Sequence, residues 1–269
     1  MKKFIALALV LVLCLSLAAC GSKEAGAKIA AQKGTTSFMY ADKLANTKTT
    51  TYDTFALAAK DMLNGNADYL FVDKTTAKSL AKEIEGLKII EIALSSENYG
   101  IGIDKNQADL KTKIDDILKN KATEIDAIKE KYMNGEEAKY VGVTSGTKDG
   151  SKADKQLVVA TNAEFAPWEY KEGNQFYGID MEIAKLIADE LELELVIDDM
   201  EFDAVVGAVG KQNVDIAMSG ITITTERLGV INFSDPYYTE SIVCVVPAAN
   251  TELDSAGTVV DMLNVICAK

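Results

Sequence analysis

Histidine is absent from all 269 residues. That removes at once the commonest general base and the commonest metal ligand. Cysteine is scarce: Cys14 and Cys20 lie near the start, and only Cys244 and Cys267 follow. A disulfide between the last two is chemically open, but Cys244 sits in a β-branched run and two free or buried thiols fit it better. Positive charge is short as well. With 28 basic against 41 acidic residues the net charge is −13, which argues against nucleic acid or anionic lipid headgroups as partners. Beyond the first apolar run, no stretch is long and apolar enough to span a bilayer. Nothing in the chain calls for a metal or a cofactor.

What is present begins with a leader. Lys2 and Lys3 precede an unbroken apolar run from Phe4 to Leu15, followed by Ser16-Leu17-Ala18-Ala19-Cys20. A basic tip, a short apolar core and small residues describe an export signal over residues 1–19. The small residues before Cys20 resemble the lipobox of bacterial lipoproteins, which implies acylation of the Cys20 thiol and a lipid-anchored tether over 20–27. An incidental cysteine behind a plain signal peptide is the alternative. Removal of Lys2 and Lys3 with the leader makes the remainder still more acidic. The roughly 250 residues that follow suit one large domain or two lobes.

From Lys28 the pattern alternates strand and helix. Lys28–Gln32, Tyr69–Val72, Leu87–Ile92 and Tyr99–Ile103 read as strands. Thr54–Leu63 reads as an amphipathic helix with Phe55, Ala58, Ala59, Met62 and Leu63 on one face, ended by Asn64-Gly65. Thr75–Ile84 is a further helix, and two more are expected near 108–119 and 124–132. Residues 134–155 turn rich in Gly, Ser, Thr and Lys without periodicity and read as a linker. The rhythm then restarts: a strand at Leu157–Thr161, a helix capped by Asp180, a strand at Leu193–Ile197, a helix over 202–210, and strands at Val214–Met218 and Ser241–Val246. Such a β-α-β order implies mainly parallel sheets covered by helices.

Four constellations could carry chemistry. Asn162-Ala163-Glu164-Phe165-Ala166-Pro167-Trp168-Glu169-Tyr170 follows a strand, where ligands of open α/β sheets gather. Phe165 and Trp168 offer a flat wall to a small ligand, or alternatively belong to the core. Met218-Ser219-Gly220-Ile221-Thr222-Ile223-Thr224-Thr225-Glu226-Arg227 follows another strand. There backbone N–H groups, hydroxyls and the Arg227 fork would converge on a carboxylate. Gly34-Thr35-Thr36-Ser37 supplies donors at a helix start, or simply a cap. Asp73 ends an apolar strand and suits an ammonium group; an N-cap before Thr75 is its other reading.

Together these stretches, with Tyr177-Gly178-Ile179-Asp180 and Asn232-Phe233-Ser234-Asp235-Pro236-Tyr237-Tyr238, resemble the family-3 extracellular solute-binding proteins, the amino-acid-binding components of ABC importers. The resemblance implies an α/β chain of two doubly wound lobes of the type II periplasmic-binding kind, joined by a two-strand hinge and clamping an amino acid without chemistry. It implies that Ser219, Gly220, Thr222 and Arg227 take the α-carboxylate, helped by Thr36 and Ser37. Asp73 would take the α-ammonium; Phe165, Trp168 and Phe202 would flank the side chain, with Asn162 and Glu164 as selectivity groups. An ABC permease in the membrane is the implied partner and a monomer the implied state. The order of pieces departs from the family and reads as a circular permutation. Lobe 2 is expected over 28–95, a hinge strand and returning helices of lobe 1 over 96–133, the linker over 134–155, lobe 1 with a hinge strand over 156–250, and a return to lobe 2 over 251–269. Lys74 is a second departure, where the family often has an acidic residue. A sensory or degenerate binding module, or a dehydratase-like enzyme on the same fold, are the rival readings.

Overall fold

Residues 26–211 and 214–269 are described in a computed structural model. The export leader, Cys14 and the acylation expected at Cys20 lie outside the described residues. The chain divides into two units: one holds residues up to Ser96 together with Ser241–Lys269, the other Glu97–Glu240.

The first unit opens with β1 (Ala27–Gln32), small and apolar and buried at all but Lys28. Thr35 caps α1 (Thr36–Ala41): its hydroxyl oxygen accepts the Phe38 N–H at 3.2 Å and donates to the Gln32 carbonyl at 2.7 Å. An edge strand, β2 (Thr47–Tyr52), follows. It is rich in threonine and largely uncovered, so no apolar alternation marks it in the sequence. Thr54 caps α2 (Phe55–Leu63), whose Phe55, Ala58, Ala59 and Met62 are buried as the 3.6-residue period requires. Next come β3 (Tyr69–Asp73), α3 (Lys74–Glu83) and β4 (Leu87–Ile90).

The second unit starts with β5 (Glu97–Tyr99) and β6 (Gly102–Ile103). One strand was expected across Tyr99–Ile103; the chain instead turns at Gly100 and divides it between two sheets. Packing is tight at this turn, for a Cβ on Gly100 would lie 2.8 Å from Ile223 Cδ1. Helices α4 (Ala108–Asn120) and α5 (Ala122–Met133) follow. Then come β7 (Gln156–Thr161), β8 (Glu164–Phe165), β9 (Glu169–Glu172), β10 (Gln175–Tyr177) and α6 (Ile179–Glu190). The unit continues through β11 (Glu194–Asp199), α7 (Phe202–Ala208), β12 (Ile216–Ala217), α8 (Thr225–Val230), β13 (Asn232–Phe233) and β14 (Tyr238–Glu240). The first unit is completed by β15 (Ile242–Pro247) and α9 (Val259–Ala268).

Each unit is built on a five-stranded mixed sheet. In the first the order is β2-β1-β3-β15-β4, with β15 antiparallel to both neighbours and the β2-β1-β3 pairs parallel. Burial on both faces explains the unbroken apolar run of β15. That strand was expected as the hinge strand at the end of 156–250; the structure seats it inside the first unit's sheet. Met262, Leu263, Ile266 and Cys267 of α9 join Ile29, Tyr69, Phe71 and Cys244 in one core, each large side chain contributing roughly 1.5–3 kcal/mol by leaving water. Lys269 pairs with Asp68 at 2.9 Å, and the same carboxylate accepts the Lys28 N–H at 2.8 Å. Cys244 and Cys267 are both buried thiols, not joined in a disulfide, and burial pushes the Cys244 thiol well up.

In the second unit β11, β7 and β12 run parallel, β6 pairs antiparallel with β12, and β13 pairs antiparallel with β6. The aperiodic stretch 134–155 lies along this unit. Tyr140 stacks on Tyr132 with centroids 4.1 Å apart, Val143 and Phe176 exchange backbone bonds of 2.7 and 2.9 Å, and Lys148 pairs with Asp198 at 2.6 Å. Its contacts are made residue by residue, which leaves no period to read. The start of α6 also departs from expectation: Gly178, at φ +119°, occupies the N-cap position, and the Asp180 carboxylate bonds elsewhere.

Candidate functional site

The carboxyl ends of the parallel strands are where each unit gathers its polar side chains. In the second unit, Asn162 follows β7. Its N–H donates to Ser219 Oγ at 3.1 Å and its amide Nδ2 donates to the Met200 carbonyl at 3.0 Å. Glu164 is exposed, whereas Phe165 is buried against the Ser219–Gly220 turn. Gly220 has φ +51°, and a Cβ there would meet Phe165 Cε1 at 2.6 Å. Trp168, expected as a ligand wall, has no exposed surface. Tyr99 and Tyr238 meet its ring edge-on at 4.9 and 4.7 Å, so its aromatic area belongs to the core.

Arg227 is buried on the six-residue α8. Thr224 caps that helix by accepting the Arg227 N–H at 3.1 Å. The guanidinium Nη1 donates to the Thr222 carbonyl at 2.8 Å, and its carbon lies 5.6 Å from the centre of the half-buried Phe202 ring. A carbonyl at one edge and a ring on one face fix the fork before any ligand arrives. The neighbouring donors have protein partners. Thr222 Oγ1 donates to Glu97 at 2.7 Å, Ser219 Oγ donates to Glu169 at 2.7 Å, and the Gly220 N–H donates to Asp180 at 2.9 Å. These bonds run into the protein, and what they supply is the shape of the turn that carries Arg227.

Glu169 and Asp180 are fully buried, and so is most of Tyr237, whose O–H reaches Asp180 at 2.8 Å. Burial and then the Asp180 charge push the Glu169 carboxyl well above its usual range. Burial also raises Asp180, opposed by the bonds from Gly220 and Tyr237. Sequence reading quoted Glu169 inside a motif without a role and took Asp180 only as a helix cap. Their signal was an acid flanked by apolar neighbours, Trp168-Glu169-Tyr170 and Ile179-Asp180-Met181. Glu97 had no such signal. Around the same strand ends stand further carboxylates: Asp199 accepts the Ala163 N–H at 2.9 Å, and Glu201 and Asp203 are exposed beside Phe202.

In the first unit β1 and β3 are parallel neighbours, so the residues following them share one edge. Thr36 is half-buried at the start of α1, and Ser37 is fully buried with a hydroxyl that has no hydrogen-bond partner among the described residues. Asp73 is 5% exposed and stands at the N-cap position of α3 without making a side-chain capping bond. Thr35, not Thr36 or Ser37, is the residue that caps α1.

Residues 157–266 match the model described as "Bacterial extracellular solute-binding proteins, family 3". The arginine-binding extracellular protein ArtP of Bacillus subtilis (strain 168) is 39% identical over 101 residues, which cover 38% of this chain and 38% of ArtP. ABC transporter arginine-binding protein 1 of Escherichia coli (strain K12) is 27% identical over 97 residues, covering 36% of this chain and 40% of its own. Among solved structures, holo ArgBP from T. maritima is 40% identical with a TM-score of 0.31, covering 34% of this chain and 41% of that one. The matches span well under two thirds of the length of these relatives.

Proposed function

We propose that this chain, which belongs through residues 157–266 to family 3 of the bacterial extracellular solute-binding proteins, captures an amino acid outside the cytoplasm for an ABC-type importer. The observation that carries this reading is Arg227: a buried guanidinium, held by the Thr222 carbonyl and the Phe202 face at the carboxyl end of a parallel sheet. A fork so placed matches a carboxylate bidentately. Phe165 and Phe202 are the proposed walls for the ligand side chain, and Asn162 and Glu164 the proposed selectivity groups. Asp73 is the proposed partner of the ammonium, and Thr36 and Ser37 are the proposed further hydroxyls. The reaction is binding and release, with no bond made or broken.

Arginine is the ligand of first choice. The relatives named for arginine support it, and so do the exposed carboxylates Glu164, Glu201 and Asp203 around Phe202. An acidic molecule also draws a cationic ligand from solution. Anchoring by an acylated Cys20, service as a monomer, and a permuted order of the family's lobes complete the proposal. A thermal-shift screen of the common amino acids tests it. A ligand at 100 times its Kd stabilises by about 2.7 kcal/mol; arginine should give the largest shift, and an unmoved transition with every amino acid would refute the reading.

A further inference from the structure

Among the described residues, no basic side chain hydrogen-bonds to the two buried carboxyls beneath the Ser219–Gly220 turn. Glu169 comes from β9 and Asp180 from the first turn of α6. The titratable groups that bear on Glu169 are Asp180 on α6, Asp199 at the end of β11 and Tyr237 ahead of β14. None is a cation. Two ionised carboxylates in contact without a cation would repel each other where water cannot screen them.

The donors are distributed unevenly. Asp180 accepts from the Gly220 N–H at 2.9 Å and from the Tyr237 hydroxyl at 2.8 and 3.0 Å, so both its oxygens face donors. Glu169 Oε1 accepts from Ser219 Oγ at 2.7 Å, and its other oxygen, Oε2, is buried with no donor among the described residues. A fully buried acceptor without a donor is costly, and a proton on that oxygen turns it into a donor. The carboxylate that bears on Glu169 is Asp180.

We propose that Glu169 is held protonated, donates from Oε2 to an ionised Asp180, and through this one proton fixes the Ser219–Gly220 turn as the floor of the ligand site. Each carboxyl grips one residue of the turn: Glu169 accepts from the Ser219 side chain, and Asp180 from the Gly220 backbone. The proton joins the two grips into a continuous chain, Tyr237 and Gly220 to Asp180, Asp180 to Glu169, Glu169 to Ser219, and Ser219 to the Asn162 N–H. Glu169 is thus a positioning residue. It sets the backbone that leads through Thr222 to Arg227, whose Nη1 hangs on the Thr222 carbonyl.

The sign of the pH effect follows. The folded protein keeps a proton on Glu169 that the unfolded chain releases near its ordinary value of 4.5. Stability from this pair is therefore fully present below that value and declines as the pH rises through the higher folded value. A glutamine has the same shape, donates from its amide to Asp180 and accepts from Ser219 with its carbonyl, yet carries no titrating proton.

The effect on affinity rests on the function proposed above; the proton itself does not. The test compares the full chain with Glu169→Gln and Glu169→Ala. Infrared spectra at neutral pH should show a protonated-carboxyl stretch in the parent that is missing from E169Q. The falling stability–pH slope should flatten in the same variant. Calorimetry with L-arginine should show E169A weakened roughly tenfold or more and E169Q restored close to the parent. A difference spectrum without that band overturns the proton, even if E169A proves unable to fold. Equal affinity of E169A and the parent overturns the positioning role. A parent that binds no arginine while the band is present counts against the ligand and leaves the proton pair standing.

Discussion

Arg227→Ala should nearly abolish ligand binding while leaving the second unit folded. Truncating one member of a buried charge pair costs roughly 2–5 kcal/mol of affinity, which is a loss of about 30-fold to several thousandfold in Kd. The structure also sets the collateral cost. The variant releases the Thr222 carbonyl from a 2.8 Å bond and removes the cation from the face of Phe202. These are worth about 1–3 and about 0.5–2 kcal/mol. The Thr224 cap is untouched, because it accepts the backbone N–H and not the side chain. Titration calorimetry with L-arginine must therefore be run well below the melting temperature of the weaker variant, with circular dichroism confirming the fold. Arg227→Lys separates charge from geometry: an ammonium restores the charge but not the planar fork, and should recover little. A Kd within threefold of the parent for R227A would refute the reasoning.

Asp73→Asn should weaken amino acids far more than analogues lacking the α-amino group, and equal losses for both ligand classes would make Asp73 a structural residue of the β3–α3 junction. Gly220→Ala should destabilise the second unit by roughly 1–3 kcal/mol, because the added Cβ meets the Phe165 ring at 2.6 Å and the residue sits at φ +51°. Urea unfolding measures this, and an unshifted midpoint would contradict it.

Strand and helix periods carried most of the architecture. The helix Phe55–Leu63 emerged where Phe55, Ala58, Ala59 and Met62 repeat on one face, and β3 where five consecutive residues are buried. The sequence was silent where burial did not follow a period. The threonine-rich β2 is half in water, and the two-residue strands β8 and β13 are too short to alternate. Arg227 and its cap were legible because Thr224 precedes it by one helix turn. Trp168 was ambiguous because an aromatic after a strand looks alike in a wall and in a core, and only its enclosure by tyrosines separates them. The partners of Ser219, Gly220 and Thr222 were illegible: Glu169, Asp180 and Glu97 stand 50, 40 and 125 residues away from them along the chain. No local pattern announces such bonds.

The place of β15 in its sheet has a consequence for how the molecule comes into being. β3 and β4 are never neighbours; β15 lies between them and bonds to both. Lys88 must wait for Asp254, 166 residues later, and Asn46 for Cys267, 221 residues later. At a synthesis rate of roughly 5–20 residues per second, that wait is on the order of ten seconds. During it Glu97–Glu240, a continuous stretch, has all of its own strands in hand. The apolar edge Tyr69–Asp73 meanwhile stands open, a ready template for pairing with another chain. Loop closure over such separations is slow because its entropy is lost before any contact repays it. The unit whose strands are made first is the last to close, and the interval before β15 arrives is when the nascent protein is most exposed to aggregation.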